Sequence, residues 1–166
     1  MAVGSFTSAL TRMLLAGDGS TTLLLQALTG GPISARLQDL ADRRADRVPA
    51  DVRTLLQLAD GATVAVRRSV LLNHHGMPVS RNKVIVSLGV PLMRRIAADP
   101  ARPLGLALIA HDIEHGRRQC SSGLARWSAH QRDAASKAYL IHAATTPLML
   151  VWETFNPDIV PPGVKT

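Results

Sequence analysis

Residues 63–72 read Thr-Val-Ala-Val-Arg-Arg-Ser-Val-Leu-Leu, and residues 73–76 read Asn-His-His-Gly. An apolar pattern resumes over residues 77–88. Two β-prone runs joined by a short turn that contains glycine indicate an antiparallel hairpin. A sheet built from hairpins is therefore the first expectation for this chain.

A charge interrupts the first strand of this predicted hairpin. Period-two alternation puts Val64, Val66, Arg68, Val70 and Leu72 on one face. Arg68 therefore points where its neighbours are apolar. An isolated charge in such a place is costly, so it needs a partner, a ligand or a shifted pKa.

A second charge lies in a similar place near the C-terminus. Residues 147–155 read Pro-Leu-Met-Leu-Val-Trp-Glu-Thr-Phe, and alternation gives Glu153 the face of Met149, Val151 and Phe155. Arg68 and Glu153 are thus the first candidates for a functional site. The alternative is a buried Arg68–Glu153 ion pair that binds no ligand.

The remaining segments complete a mixed architecture. Helical spacing and start signals predict four helices, at 5–16, 52–58, 91–98 and 103–110. Further strands are predicted at 21–28, 33–40, 137–143 and 148–155. The mixed pattern of residues 113–127 gives no clear assignment. Hairpins in series with helices between them favour an α+β fold on an antiparallel sheet.

Composition limits the class of protein. The chain has 166 residues, of which 46% are apolar, and this length favours a single domain over residues 1–166. It contains no apolar run long enough to span a membrane and no signal-peptide layout, so we expect a soluble cytoplasmic protein with no membrane partner. The single cysteine, Cys120, excludes an internal disulfide and is too few for a thiolate zinc site.

The charge balance favours an anionic partner. There are 19 Lys and Arg against 12 Asp and Glu, which gives a formal net charge of +7. The basic residues are scattered, and no zinc finger or RNP motif is present, so we expect no nucleic-acid partner. A small anionic substrate or an ordinary solvated surface accounts for the charge equally well.

Four segments, in order and spacing, resemble the chorismate pyruvate-lyase (4-hydroxybenzoate synthase) family of the chorismate lyase-like/UTRA superfamily. They are Arg-Ser-Val-Leu-Leu (68–72) with Gly-Met-Pro (76–78), Arg-Pro-Leu-Gly (102–105), Tyr-Leu-Ile (139–141) and the stretch 147–153. The resemblance extends from about residue 10 to residue 157. It implies a six-stranded antiparallel sheet with helices packed on it and an internal, covered ligand cavity.

The resemblance also implies site residues. The family's buried arginine corresponds to Arg68, its backbone contact in the Pro-Leu-Gly segment to Leu104, and its active-site glutamate to Glu153. Its ligand-contacting turn falls on residues 18–21, with Ser20 where a bulkier apolar residue is common. Lys83 stands where arginine is more familiar. These two differences from the family pattern, at Ser20 and Lys83, affect the identity of the substrate more than the fold.

The activity implied is elimination of pyruvate from chorismate to form 4-hydroxybenzoate, without metal or organic cofactor. Arg68 would hold the ring carboxylate through its planar fork. Lys83, or Arg81 in another register, would hold the enolpyruvyl carboxylate. Glu153, its pKa raised by an apolar setting, would assist proton removal.

Two other functions are compatible with the same sequence. One is a different enzyme on this scaffold that acts on another small aromatic or carboxylated metabolite. The other is a non-catalytic module that binds a small ligand. The sequence predicts no oligomeric state.

Overall fold

A single antiparallel sheet forms the body of the computed structural model, which describes residues 1–127 and 131–165. The sheet has the strand order β1-β2-β3-β6-β5-β4. The strands are β1 Ser34–Arg44, β2 Thr63–Leu72, β3 Pro78–Ser87, β4 Gly116–Trp127, β5 Arg132–Ala143 and β6 Thr146–Phe155. The predicted α+β class with six antiparallel strands is confirmed.

Five α-helices pack on this sheet, four on one face and one on the other. They are α1 Ala9–Ala16, α2 Thr21–Thr29, α3 Ala50–Leu55, α4 Pro91–Ala98 and α5 Leu104–Ala110. We call the face covered by α1, α2, α4 and α5 the inner face, and the face covered by α3 the outer face. Two apolar cores lie on the inner face. One contains Leu25 of α2 and Phe155 of β6, and the other contains Leu108 of α5 and Val151 of β6. Val52 of α3 packs in the outer-face core.

The hairpin predicted over residues 63–88 is confirmed. The β2 strand covers Thr63–Leu72, and β3 covers Pro78–Ser87. The helix predicted at residues 91–98 coincides with α4, and the helix predicted at residues 103–110 begins one residue before α5. β4 occupies the region that had no clear assignment, and β5 begins five residues before the predicted strand 137–143.

The strand predicted at residues 21–28 is wrong, because this segment forms the helix α2. Ser20 caps the helix by accepting a hydrogen bond from the backbone N of Leu23 at 3.4 Å. Gly30 ends it in the left-handed conformation, with φ of 71°. A short apolar run does not distinguish helix from strand by its periodicity. The caps and the burial of Leu25 favour the helix.

Candidate functional site

A polar row crosses the inner face of the sheet under the helices. Ser69 on β2 lies opposite Asn82 on β3, Asn82 opposite Glu153 on β6, and Glu153 opposite Lys137 on β5. Ser69, Lys137 and Glu153 are buried. Buried polar groups are costly unless they are hydrogen-bonded, so three of them in one row with the half-buried Asn82 mark the strongest candidate for a site.

Glu153 is 2% exposed, which confirms the burial predicted from its strand. Its Oε1 accepts a hydrogen bond from Ser80 Oγ at 2.9 Å, and its Oε2 accepts one from Tyr139 Oη at 3.2 Å. Burial raises the pKa of Glu153, and the charge of Lys137 opposes this shift. Burial and the charge of Glu153 raise the pKa of Tyr139 well above its ordinary value, so the phenol remains a donor.

Lys137 ties the sheet to the end of α1. Its Nζ donates to the carbonyl oxygen of Leu14 at 2.7 Å and to that of Gly17 at 3.4 Å. A cation suits this position because the carbonyl groups of a helix C-terminus carry partial negative charge. Burial lowers the pKa of Lys137, and the charge of Glu153 opposes that effect.

Arg67 is the buried arginine of β2, with 1% of its surface exposed. Its Nη1 donates to Ser69 Oγ at 2.9 Å, and its Nη2 donates to the carbonyl oxygen of Asp99 at 2.9 Å. Its Nε is buried and has no hydrogen-bond partner among the described residues. Burial lowers the pKa of Arg67, opposed by the charge of Asp99.

Arg117 of β4 brings a second guanidinium to the inner face. Its Nε is also buried without a partner in residues 1–127 and 131–165. Its Nη2 lies 3.0 Å from the point that a Cβ on Gly105 would occupy, and Ser20 Oγ lies 4.0 Å from the same point. Arg117 therefore lies against the first turn of α5, beside the cap of α2.

A cavity of about 40 Å³ separates the polar row from α2 and α5. Six of its lining residues matter here: Arg67, Asn82, Leu104, Gly105, Tyr139 and Glu153. This volume holds a few water molecules and is far below that of a typical small-molecule pocket. A larger ligand therefore needs the helices above the cavity to move outward.

The structure brings some of the predicted site residues to this cavity. Leu104 and Glu153 line it. Ser20 caps α2 and lies near its edge, next to Gly105 and Arg117.

The predicted burial of Arg68 is wrong. Its side chain is 52% exposed on the outer face, where its Nη1 donates to Asp39 Oδ2 at 3.0 Å. It therefore does not pair with Glu153 on the inner face. The cause is that β2 is covered on both faces, with Val64 and Val70 buried on one and Ala65 and Ser69 on the other. Alternation alone cannot assign the arginines in such a strand.

Lys83 also lies outside the cavity. It is exposed on the outer face opposite Arg68, with its Nζ 5.3 Å from the centroid of the Trp152 ring. The alternative, Arg81, lies on that face too, with its guanidinium 4.9 Å from the ring centroid of Trp127. Neither residue reaches the polar row.

Sequence reasoning did not assign roles to Arg67, Lys137, Tyr139 and Arg117. Lys137 had a usable signal, since it is a charge inside the apolar run Ala-Ala-Ser-Lys-Ala-Tyr, as Glu153 is in its own strand. Arg117 had none, because it lies in the segment without a clear assignment. Within the described residues, no group of three His, Cys, Asp or Glu could hold a metal ion. No helix of that part of the chain is long and apolar enough to cross a membrane.

Comparison with known proteins gives one family match. Residues 15–161 match the family described as "Chorismate pyruvate-lyase Rv2949c-like". No curated protein matches the chain.

Solved structures share the fold at low sequence identity. PhnF from Mycobacterium smegmatis has a TM-score of 0.69 and 15% identity, covering 87% of this chain and 66% of PhnF. The effector domain of PhnF has a TM-score of 0.66 and 15% identity, with 86% of this chain and 91% of that domain covered.

A third structure is the ligand-binding domain of a transcriptional regulator from Bordetella bronchiseptica, assigned to the GntR family. Its TM-score is 0.56 at 18% identity, with 78% of this chain and 87% of that domain covered. The chain thus spans just under two thirds of PhnF, and nearly the whole of the two domains.

Proposed function

The chain belongs to the Rv2949c-like chorismate pyruvate-lyase family, as its four matching segments predicted, and we propose on this premise that it eliminates pyruvate from chorismate to give 4-hydroxybenzoate. One observation carries the proposal. A buried guanidinium, Arg67, and a buried carboxylate, Glu153, line one small cavity beneath the helices. This elimination requires a cation that binds a carboxylate of the substrate and a base close to that cation.

Arg67 takes the ring carboxylate in this proposal, in place of Arg68. Its Nε–H is buried and unpartnered among the described residues. A carboxylate can accept from this group and from a neighbouring N–H of the planar fork, which is the strong bidentate arrangement. The ligand would thereby satisfy a donor that the folded chain leaves without an acceptor.

Glu153 acts as the base beside the hydroxyl-bearing ring carbon. That carbon loses its proton, the electron pair completes the aromatic ring, and the adjacent C–O bond breaks so that the side chain leaves as enolpyruvate, which becomes pyruvate. The raised pKa of Glu153 makes its carboxylate a better proton acceptor than an exposed glutamate. Ser80 and Tyr139 orient the carboxylate through their hydroxyls.

Enclosure supplies the rest of the acceleration. Because the cavity is small, the substrate enters only when α2 and α5 move outward, and their return would hold it in a compact conformer without bulk water. The elimination involves only the substrate and this base, and it needs neither an oxidant nor an added electrophile. The proposal therefore assigns no metal or organic cofactor.

The first test is an incubation of the purified protein with chorismate, in which chromatography measures 4-hydroxybenzoate and pyruvate. We expect the two products in equal amounts. Glu153→Gln retains the size and one acceptor oxygen of the side chain but removes the base, so we expect turnover to fall at least about a hundredfold while 4-hydroxybenzoate still binds.

The matched control is Glu114→Gln, which changes an exposed glutamate near the end of α5 and should leave turnover unaffected. No product from the wild-type protein, a different hydroxybenzoate isomer, or full activity in Glu153→Gln would each contradict the proposal.

A non-catalytic ligand-binding function is the second candidate. It is favoured by the fold shared with an effector domain and with a regulator's ligand-binding domain. The same incubation separates the two candidates. Tight binding of 4-hydroxybenzoate by calorimetry, with chorismate left unconverted, would support the binding module.

A further inference from the structure

The inner face carries more positive charge than the folded chain neutralises. Among the described residues, Arg67 lines the same cavity as the buried carboxylate of Glu153, and the charges of Lys137 and Arg117 act on that carboxylate. Asp99 also acts on Arg67, but its carboxylate lies towards the surface, where Oδ1 accepts from the backbone N–H groups of residues 101 and 102. The inner face around Glu153 is therefore complementary to an anion of more than one charge.

The three cations are not equally available. Lys137 Nζ already donates to two carbonyl oxygens, those of Leu14 and Gly17. Arg67 and Arg117 each leave a buried Nε–H without an acceptor in residues 1–127 and 131–165. Unsatisfied buried donors are rare in folded proteins. One of these two belongs to a residue that lines the cavity, and the other belongs to a residue that lies against Gly105 of the cavity lining, so together they point to a missing ligand.

Arg117 lies on the same face of the sheet as Arg67 but four strands away in the sheet order. The two residues lie on β4 and β2, the strands that flank β3, β6 and β5 in the sheet order. Four strand spacings separate their backbones by roughly 19 Å. Glu153 is on β6, which lies between these two strands in the sheet order. The charge of Arg117 also opposes the rise in the pKa values of Glu153 and Tyr139 that burial causes.

Gly105 is the residue that leaves space for this approach. Any side chain at this position would begin 3.0 Å from Arg117 Nη2, closer than nearly all contacts of real Cβ atoms. Gly105 also lines the cavity. The guanidinium thus lies against a residue of the cavity lining that has no side chain.

We propose that Arg117 is the second anion-binding residue of the site, so that the ligand is a small dianion held between Arg67 and Arg117. The assignment of the enolpyruvyl carboxylate to Arg117 rests on the proposed function. The two-anion site itself does not, since a non-catalytic module with these residues would select a dicarboxylate as well. Arg117 replaces Lys83, which lies on the outer face, in this role.

The experiment compares two unreactive ligands that differ by one carboxylate. Isothermal titration measures the affinity for 4-(carboxymethoxy)benzoate, a dicarboxylate, and for 4-methoxybenzoate, its monocarboxylate match. In Arg117→Gln we expect the dicarboxylate to bind at least about tenfold more weakly and the monocarboxylate to change by less than about threefold. Arg118→Gln, an exposed neighbour on the same strand, is the control and should change neither affinity.

A second variant covers the possibility that Arg117→Gln does not fold. Gly105→Ala favours the helix by its intrinsic propensity and displaces only the flexible end of Arg117. It should therefore keep the thermal midpoint and selectively weaken dicarboxylate binding.

The outcomes separate this inference from the proposed function. No binding of either ligand by the wild-type protein, equal losses for both ligands in Arg117→Gln, or no selective loss in Gly105→Ala would overturn the two-anion site. A selective loss for the dicarboxylate together with unconverted chorismate would overturn the lyase activity and leave the two-anion site standing.

Discussion

Arg67 and Arg68 share a peptide bond, yet their side chains lie on opposite faces of the sheet in different environments. Arg67 is buried and donates to Ser69 and to the backbone of Asp99. Arg68 is half exposed and pairs with Asp39. An exposed ion pair contributes at most about 1 kcal/mol to stability, because water screens it and ordering two long side chains costs entropy.

The adjacent arginines allow a matched test. We expect Arg67→Lys to weaken 4-hydroxybenzoate binding by at least about tenfold, because lysine cannot offer two N–H groups in one plane. Arg68→Lys should leave the affinity unchanged and alter the free energy of unfolding by less than about 1 kcal/mol. Calorimetry and urea denaturation of both variants measure these effects. The reverse order of affinities would restore Arg68 as the anchor.

At the scale of elements, one side chain connects the sheet to the helices that cover it. Lys137 of β5 donates to carbonyl groups at the end of α1 and in the turn that leads to α2. The same ammonium lies opposite Glu153 in the polar row. A movement of α1 and α2 that admits a ligand would therefore change the charge environment of the carboxylate.

Lys137→Met tests this connection through pH dependence. The ammonium opposes the rise in the pKa of Glu153, so its removal should raise that pKa further. Since the base must be ionised, activity falls as pH decreases through this pKa, and the acidic limb of the pH profile of kcat/KM should move to higher pH. Lys83→Met, the same change on the outer face, should leave the profile in place. An unmoved limb in Lys137→Met would show that the two groups do not interact.

The pH dependence of the stability of Lys137→Met can be predicted as well. A glutamate whose pKa is raised in the folded state stabilises the fold fully below its unfolded pKa, and this contribution is lost as pH rises through the folded value. Relative to Glu153→Gln, the wild-type protein should therefore lose stability above the ordinary glutamate pKa. Lys137→Met should extend that loss to higher pH.

Across the whole molecule, the ion pairs of the described residues lie at the surface. The five ion pairs of the described residues have side chains between 46% and 69% exposed. The net charge is +7, so long-range repulsion accompanies these weak attractions. The cores on both faces of the sheet, rather than salt bridges, carry the stability.

Because the exposed ion pairs and the net repulsion oppose each other, we expect the free energy of unfolding to respond only weakly to salt. Raising NaCl from about 0.05 M to about 0.5 M screens both the ion pairs and the net repulsion, so the free energy of unfolding should not fall by more than about 1 kcal/mol. Urea denaturation at the two concentrations measures it. A larger loss would indicate an ion-pair network that contributes more than these exposed pairs can.

Local pattern and turn chemistry predicted several features of this protein correctly. The hairpin at residues 63–88, the helices α4 and α5 and the burial of Glu153 follow from periodicity, prolines and glycines within each segment. Four short segments were enough to indicate the family and its six-stranded sheet. Leu104 reached the cavity because its segment, Arg-Pro-Leu-Gly, sits at the start of α5.

Which side chains share a site depends on tertiary packing, which local patterns do not specify. The choice between Arg67 and Arg68 depends on which helices cover each face of β2, and the helix α2 depends on packing that an apolar run of eight residues does not specify. Lys137 and Glu153 come from different strands and lie opposite each other because of strand order and register, and Arg117 comes from a third strand. Periodicity within a segment gives alternating faces, but burial of both faces removes the contrast that identifies the inner one.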